Sequence, residues 1–279
     1  MTTSPTQAGQ QDPETPESVL TRFGIVTLEE DFTDFTVVAS MPVGGMLNPF
    51  TGMPTIGALA ILVDDVAGRA NFHRRGSGQW TVSSELTVEL SPDGIDSILA
   101  APDEPVVASG SPLGPHGATL LAIATLTHRG ITIGVGTVRT VAITGGPDGP
   151  VPRGQDSLVR TPQTSLVELM SAEPQQQDGT YLLAQRPDTI INNLIGIVHG
   201  GVSSTGLELV ASAAINDRQA EPLRTASIRV NFLRPFFAGE GSRYVGSVVR
   251  VGRNSAIGDA QAVSDDGKVA IMARITGYR

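Results

Sequence analysis

The sequence predicts an α+β protein built from two tandem repeats, each an antiparallel sheet wrapped around one buried helix. Three observations carry this reading. A pattern of asparagine, glycine and carboxylate positions occurs twice, each copy contains an apolar run of helical length, and each copy ends in β-branched, strand-like segments.

The first copy reads Asn48-Pro49-Phe50-Thr51-Gly52, then Thr55-Ile56-Gly57, then an apolar run carrying Asp64. The second reads Asn193-Leu194-Ile195-Gly196, then His199-Gly200-Gly201, then an apolar run carrying Glu208. Asp64 and Glu208 stand at the same offset from the start of their triplets, and Pro92 and Pro235 close strand-like segments at nearly the same offset downstream. Ahead of each loop the pattern predicts a short amphipathic helix or turn (18–23 and 165–170) and a strand (32–41 and 180–186). The long helix of the first copy carries Ile56, Leu59, Ile61, Leu62, Val63, Val66 and Ala67 around nearly its whole circumference, the mark of a buried helix. Strands then close each half, over 118–127 and 131–143 in one and 242–251 and 269–278 in the other. Antiparallel strands packed on that one helix are the simplest way to cover it. Residues 144–164, rich in Gly, Pro, Asp and Ser, read as a linker. The expected division is therefore a disordered tail over 1–16, a first domain over 17–143, the linker over 144–164, and a second domain over 165–279.

Of the 279 residues, 40% are apolar and 17% charged, enough for a sizeable core. The 19 basic and 28 acidic side chains leave a formal charge of −9, which argues against nucleic acid or an anionic membrane as the main partner. The absence of cysteine rules out disulfides, thiolate metal sites and a cysteine nucleophile, and fits a reducing cytoplasm. The polar start lacks the apolar run of a signal peptide, and no stretch reaches the length of a membrane span. No metal-ligand spacing, P-loop, dinucleotide fingerprint or Gly-x-Ser-x-Gly elbow is present.

The second half resembles a known family. The run from Asn193 to Gly196, His199-Gly200-Gly201 with Glu208 behind it, and Asn231-Phe232-Leu233-Arg234-Pro235 followed by Gly239 are similar to the hotdog thioesterases of the phenylacetic-acid-degradation type, over residues 181–278. The first half is a more distant relative: it keeps Asn48, Gly57, Asp64 and Ser91-Pro92 but has Thr55-Ile56-Gly57 in place of His-Gly-Gly. The resemblance implies two hotdog domains in tandem, each a curved antiparallel sheet around a central helix, forming within one chain the dimer that the family makes from two. It also implies hydrolysis of acyl-CoA, with CoA part of the substrate and no separate cofactor. Pairing of two chains into a homodimer of double hotdogs stays open.

Thioester hydrolysis needs a polarised carbonyl, an activated water and room for the leaving group. Gly200 and Gly201 begin a buried helix, whose first N–H groups are unpaired and sit at the positive end of the dipole, a natural oxyanion site. Glu208 lies eight residues beyond Gly200, about 12 Å along the helix, so it cannot serve its own loop. An antiparallel partner helix would bring a carboxylate there instead. One expected site thus combines Asn193, His199, Gly200 and Gly201 with Asp64, and the other combines Asn48 and Gly57 with Glu208. The first keeps the intact glycine loop and is the expected working site, with Asp64 as general base or nucleophile, the Gly200 N–H on the oxyanion and Asn193 orienting water or substrate. Ser83 or Ser84 is expected to hold the water, with Thr225 as counterpart in the other half. Arg250 and Arg253 are candidates for CoA phosphates.

The plain structural alternatives are a solvent-facing Asp64-Asp65 pair, a Glu208 tolerated by the polar Ser203-Ser204-Thr205 turn, and a His199 that only braces its loop. His73, His116 and His128 read as surface residues. The competing functions are a non-catalytic acyl-CoA-binding or regulatory protein, suggested by the degraded first loop, and, more weakly, a hotdog hydratase.

Overall fold

The computed structural model of the chain describes residues 18–91, 93–144, 151–161, 163–177 and 179–279. The expected tail over 1–16, Pro92 and part of the linker lie outside them.

In the first half the elements run α1 (Val19–Phe23), β1 (Val26–Asp31), β2 (Thr36–Met41), α2 (Leu59–His73), β3 (Trp80–Leu90), α3 (Gly94–Ala100), β4 (Val106–Leu113), β5 (Thr119–His128) and β6 (Ile131–Ile143). In the second they run α4 (Leu166–Leu169), β7 (Ala172–Gln177), β8 (Thr180–Gln185), α5 (Gly200–Asn216), β9 (Arg224–Phe232), β10 (Arg243–Val251), β11 (Ser255–Val263) and β12 (Val269–Tyr278). The order is the same in both halves except for α3, which has no helical counterpart between β9 and β10. No helix among the described residues is long and apolar enough to cross a membrane.

All twelve strands form one antiparallel sheet in the order β1-β2-β4-β5-β6-β3-β9-β12-β11-β10-β8-β7. The halves join where β3 pairs with β9, Leu86 opposite Val230 and Val88 opposite Ile228. The alternation of Leu86, Val88 and Leu90 toward the core with Glu85 and Glu89 away from it is what lets these strands bury one face only. The sheet curves around α2 and α5, whose cores are wholly buried. Close approach of sheet to helix is made by glycine at matching places in the two halves: a Cβ on Gly110 would stand 2.5 Å from the carbonyl oxygen of Val66, and one on Gly246 would collide with that of Val210.

Three expectations need correction. The strand read over 32–41 starts at Thr36, because the chain turns at Thr33 and Asp34 and passes through Phe35 at a φ of 63°. The strands β1 and β7 were not foreseen. They are the two edges of the sheet, and β1 is exposed or half-exposed along its length, so no core-facing alternation marks it. Residues 151–161 also do more than connect. Val151 and Arg153 bond to the carbonyls of Leu194 and Asn192, and Gly154 to the Thr189 hydroxyl. Asp156 pairs with Arg22 of α1, whose guanidinium also meets Asp188 and Ser171 of the second half. Arg22 is only 4% exposed at its side chain, so this cluster buckles both halves and the connecting segment together.

Candidate active site

The helices α2 and α5 lie antiparallel across the pseudo-dimer, and each carboxylate meets the start of the other helix. The approach is backbone to backbone: a Cβ on Gly201 would collide with the Cα of Ile61 and stand 2.8 Å from the Ala60 carbonyl oxygen. Gly201 is therefore required by helix packing.

At the Asp64 centre, Oδ2 accepts the Gly201 N–H at 2.8 Å and Oδ1 accepts the Ser83 hydroxyl at 2.9 Å. A Cβ on Gly200 would come within 2.7 Å of the same carboxylate. His199 caps α5, its Nδ1 accepting the Gly201 N–H at 3.2 Å and lying 3.4 Å from Asp64 Oδ2. As an acceptor, a neutral ring carries its proton on Nε2. Asp64 is 8% exposed and Asp65 5%, so the solvent-facing alternative is excluded. Asp65 belongs to neither centre: it pairs with Arg69 at 3.0 Å, and burial raises its pKa against the pull of that guanidinium.

At the Glu208 centre, Oε1 accepts the Thr225 hydroxyl at 2.6 Å and Oε2 that of Thr55 at 2.5 Å. Thr55 Oγ1 in turn accepts the Gly57 N–H at 3.0 Å. Thr55 thus takes the capping place that His199 holds in the other half, with Gly57 in the place of Gly201. A Cβ on Gly57 would stand 2.8 Å from Glu208 Oε2. Burial pushes the Glu208 carboxyl above its ordinary range, and the bonds from Thr225, Thr55 and Ser212 only partly oppose this.

Both holding hydroxyls are aimed by the same device. The β3 register shifts between Ser83 and Glu85, and the β9 register shifts between Thr225 and Ser227. Each is a bulge, and each leaves the residue before it pointing at a carboxylate. Ser84 is the bulged residue itself and bonds to the Arg139 carbonyl, so of the two candidate serines only Ser83 reaches Asp64.

Of the remaining candidates, Asn193 turns its side-chain oxygen onto its own loop, accepting the Ile195 and Ile197 N–H groups. That oxygen holds the loop in shape. Asn48 likewise accepts the Phe50 N–H, and its amide donates to the Leu209 carbonyl of α5 at 2.8 Å. Arg250 and Arg253 are exposed and are not brought to either carboxylate. The pairings Thr225–Gly277, Gly277–Ala256 and Ala256–Val251 put Arg250, next to Val251, three strands from Thr225, on the order of 14 Å, while Arg253 lies in the turn after β10 with its carbonyl bonded by Arg279. Among the histidines read as surface residues, His116 is exposed, but His128 is 1% exposed and His73 lies buried against Glu30. Among the described residues no group of three or more His, Asp or Glu side chains is placed to hold a metal ion.

The two centres differ in what surrounds them. The Glu208 centre forms part of the wall of a cavity of about 360 Å3, with Met46, Ile56 and Leu59 from the first half, Leu223 from the second, and α3 along one side. Asp64, Ser83, His199 and Gly200 do not line it. Thr55, absent from the sequence-derived site, is the residue that reasoning missed; the available signal was a hydroxyl two positions before a helix-opening glycine.

Residues 195–271 match the sequence model of the Thioesterase superfamily. Comparison with curated protein sequences gives no match. Solved structures resemble nearly the whole chain. They include the acyl-CoA thioesterase II TesB2 of Mycobacterium marinum, with a TM-score of 0.58 and 12% identity over 94% of this chain and 97% of that one. The TesB protein of Mycobacterium avium subspecies paratuberculosis has a TM-score of 0.60 and 12% identity over 93% and 97%. A hot dog fold protein of Alicyclobacillus acidocaldarius has 0.51 and 15% over 90% and 98%. At such identities the likeness establishes the fold, two hotdog domains in tandem.

Proposed function

We propose that this double-hotdog chain, whose second domain carries the Thioesterase superfamily match, hydrolyses acyl-CoA thioesters to a free acid and CoA at the Glu208 centre. The observation that supports this is a buried carboxylate, 1% exposed and held by two hydroxyls, in the wall of an apolar cavity and opposite the start of another helix. An acyl group in that cavity brings its carbonyl beside Glu208 and the first turn of α2, on their cavity side. Backbone N–H groups ahead of the first helical bond polarise the carbonyl oxygen.

Glu208 takes a proton from a water positioned by the Thr225 and Thr55 hydroxyls, and the water oxygen bonds to the carbonyl carbon. The tetrahedral intermediate collapses as the carbon–sulfur bond breaks, and the proton passes from Glu208 to the departing sulfur. General-base action suits a side chain whose two oxygens are already hydrogen-bonded within the wall. Its raised pKa makes it a stronger base once ionised.

This moves the weight from Asp64, favoured by the sequence, to Glu208. The Asp64 centre has the same parts, and at each centre the second glycine N–H is taken up within the site, by Asp64 or by Thr55; the difference is that only Glu208 adjoins the cavity. The deciding experiment is thiol release across acyl-CoA substrates by the wild type, Glu208→Gln and Asp64→Asn. Loss of about 10²- to 10⁴-fold in kcat in Glu208→Gln is the expected result. Wild-type turnover in Glu208→Gln with loss in Asp64→Asn would return the chemistry to the Asp64 centre. Tight acyl-CoA binding by the wild type without turnover at any chain length would make this a binding protein.

A further inference from the structure

The helix α3 interrupts the first half between β3 and β4, whereas residues 233–242 of the second half contain no helix. It is pinned from two sides. From inside, the buried His128 ring meets the Ser97 hydroxyl through Nδ1 at 3.0 Å and the Ala101 carbonyl through Nε2 at 3.2 Å. From outside, Asp96 pairs with Arg224, the residue next to the Thr225 that holds Glu208. Between these anchors Ile95, Ile98 and Leu99 line the cavity, facing Leu223 and Pro222 of the other half.

The cavity has a graded wall. Ile56, just ahead of α2, and Leu59, in its first turn, are nearly inaccessible, whereas Leu99 is 40% exposed and Ile98 half-buried. Among the described residues no aromatic side chain lines it, and the flexible Met46 and Met53 do. Away from the carboxylate and its hydroxyls, the surface offers mostly aliphatic contact, the surroundings a saturated hydrocarbon chain requires.

We infer that α3 is the specificity element of the Glu208 centre, and that Ile98 and Leu99 set the largest aliphatic acyl group it accepts. This rests on the hydrolytic reading of that centre and adds its substrate class. Each methylene that finds room should raise kcat/KM by roughly fourfold, until the chain meets α3. The bonds of the buried His128 to Ser97 and Ala101 are what make that limit sharp, since a mobile helix would yield to a longer chain; the exposed Asp96–Arg224 pair adds little.

The test is kcat/KM for a series of saturated acyl-CoAs of increasing length, measured for the wild type, Ile98→Phe and Ile98→Ala. With Ile98→Phe the longest group handled by the wild type should lose about tenfold or more relative to the shortest, and Ile98→Ala should extend the series. Length profiles of both variants parallel to the wild type would overturn the inference, whichever way absolute rates move. If the wild type turns over no acyl-CoA, the hydrolytic reading fails separately. The same three proteins are then titrated with the same series by calorimetry, where a length limit in Kd that moves with residue 98 supports the role of α3 and a uniform response overturns it.

Discussion

Replacing Thr55 by valine keeps the shape of the Glu208 centre and removes one hydroxyl. That hydroxyl donates to Glu208 Oε2 and accepts the Gly57 N–H, so Thr55→Val removes one donor from a buried carboxylate and takes that acceptor from a helix-start N–H. A hydrogen bond to a charged group contributes about 1.5 to 3 kcal/mol. At 1.36 kcal/mol per factor of ten, even the lower figure makes the ionised base about tenfold scarcer at a pH below its titration. Burial already raises this carboxyl, and the Thr55 bond is among the contacts that hold it down, so removing it pushes the pKa further up. A base works only when ionised. The acid limb of the kcat/KM profile should therefore move to higher pH, with about tenfold less activity on that limb and recovery at the alkaline end. Thr55→Ser should restore the profile, which a purely structural part for Thr55 does not require. A Thr55→Val profile superimposed on the wild type, or an acid limb moved to lower pH, would refute the reasoning.

Other consequences follow from the same structure. Arg22→Met removes the guanidinium bonded to Asp156 and Asp188; as both retain some access to water, the low end of the cost of breaking a buried pair applies, about 3 kcal/mol, measured by urea unfolding at pH 7. The Arg22 bond holds Asp156 below its usual range, so this stability is present above the unfolded carboxylate pKa near 4 and lost as pH falls through the folded value; the gap between variant and wild type should close in acid. Glu208 has the opposite sign: its folded pKa is raised, so its contribution is present at low pH and lost as pH rises through the folded value. Relative to the wild type, Glu208→Gln should therefore gain stability with increasing pH, and thermal melts from pH 5 to 8 that run parallel would count against it. Gly201→Ala places a Cβ against the α2 backbone, which cannot rotate away, and should cost about 1 to 3 kcal/mol in stability, read by chemical denaturation with or without substrate.

Particular residues show how far the sequence could be read. The twofold pattern around Asn48 and Asn193, and the matching offsets of Asp64 and Glu208, led to antiparallel helices with crossed carboxylates, which the coordinates contain. That reading worked because a helix has a fixed rise: a carboxylate two turns in cannot return to its own N-terminus. Ser83 and Ser84 could not be separated in the sequence, because a one-residue bulge decides which of two neighbours points inward. The part the Asn193 oxygen plays in shaping its own loop was not legible, because its donors are backbone groups that only the folded turn brings to it. The buried histidines escaped notice since their burial depends on what α3 and β1 lay over them.

By itself the sequence determined the duplicated plan, the two buried helices and the pairing of carboxylate with helix start, because periodicity and offset are properties of local chain geometry. Only the tertiary structure decided which carboxylate adjoins a cavity, that Thr55 holds it, and that α3 bounds it. Those facts depend on residues near 55, 98, 208 and 223 being brought together from both halves, and no local rule encodes the shape of the space left between side chains that are distant along the chain.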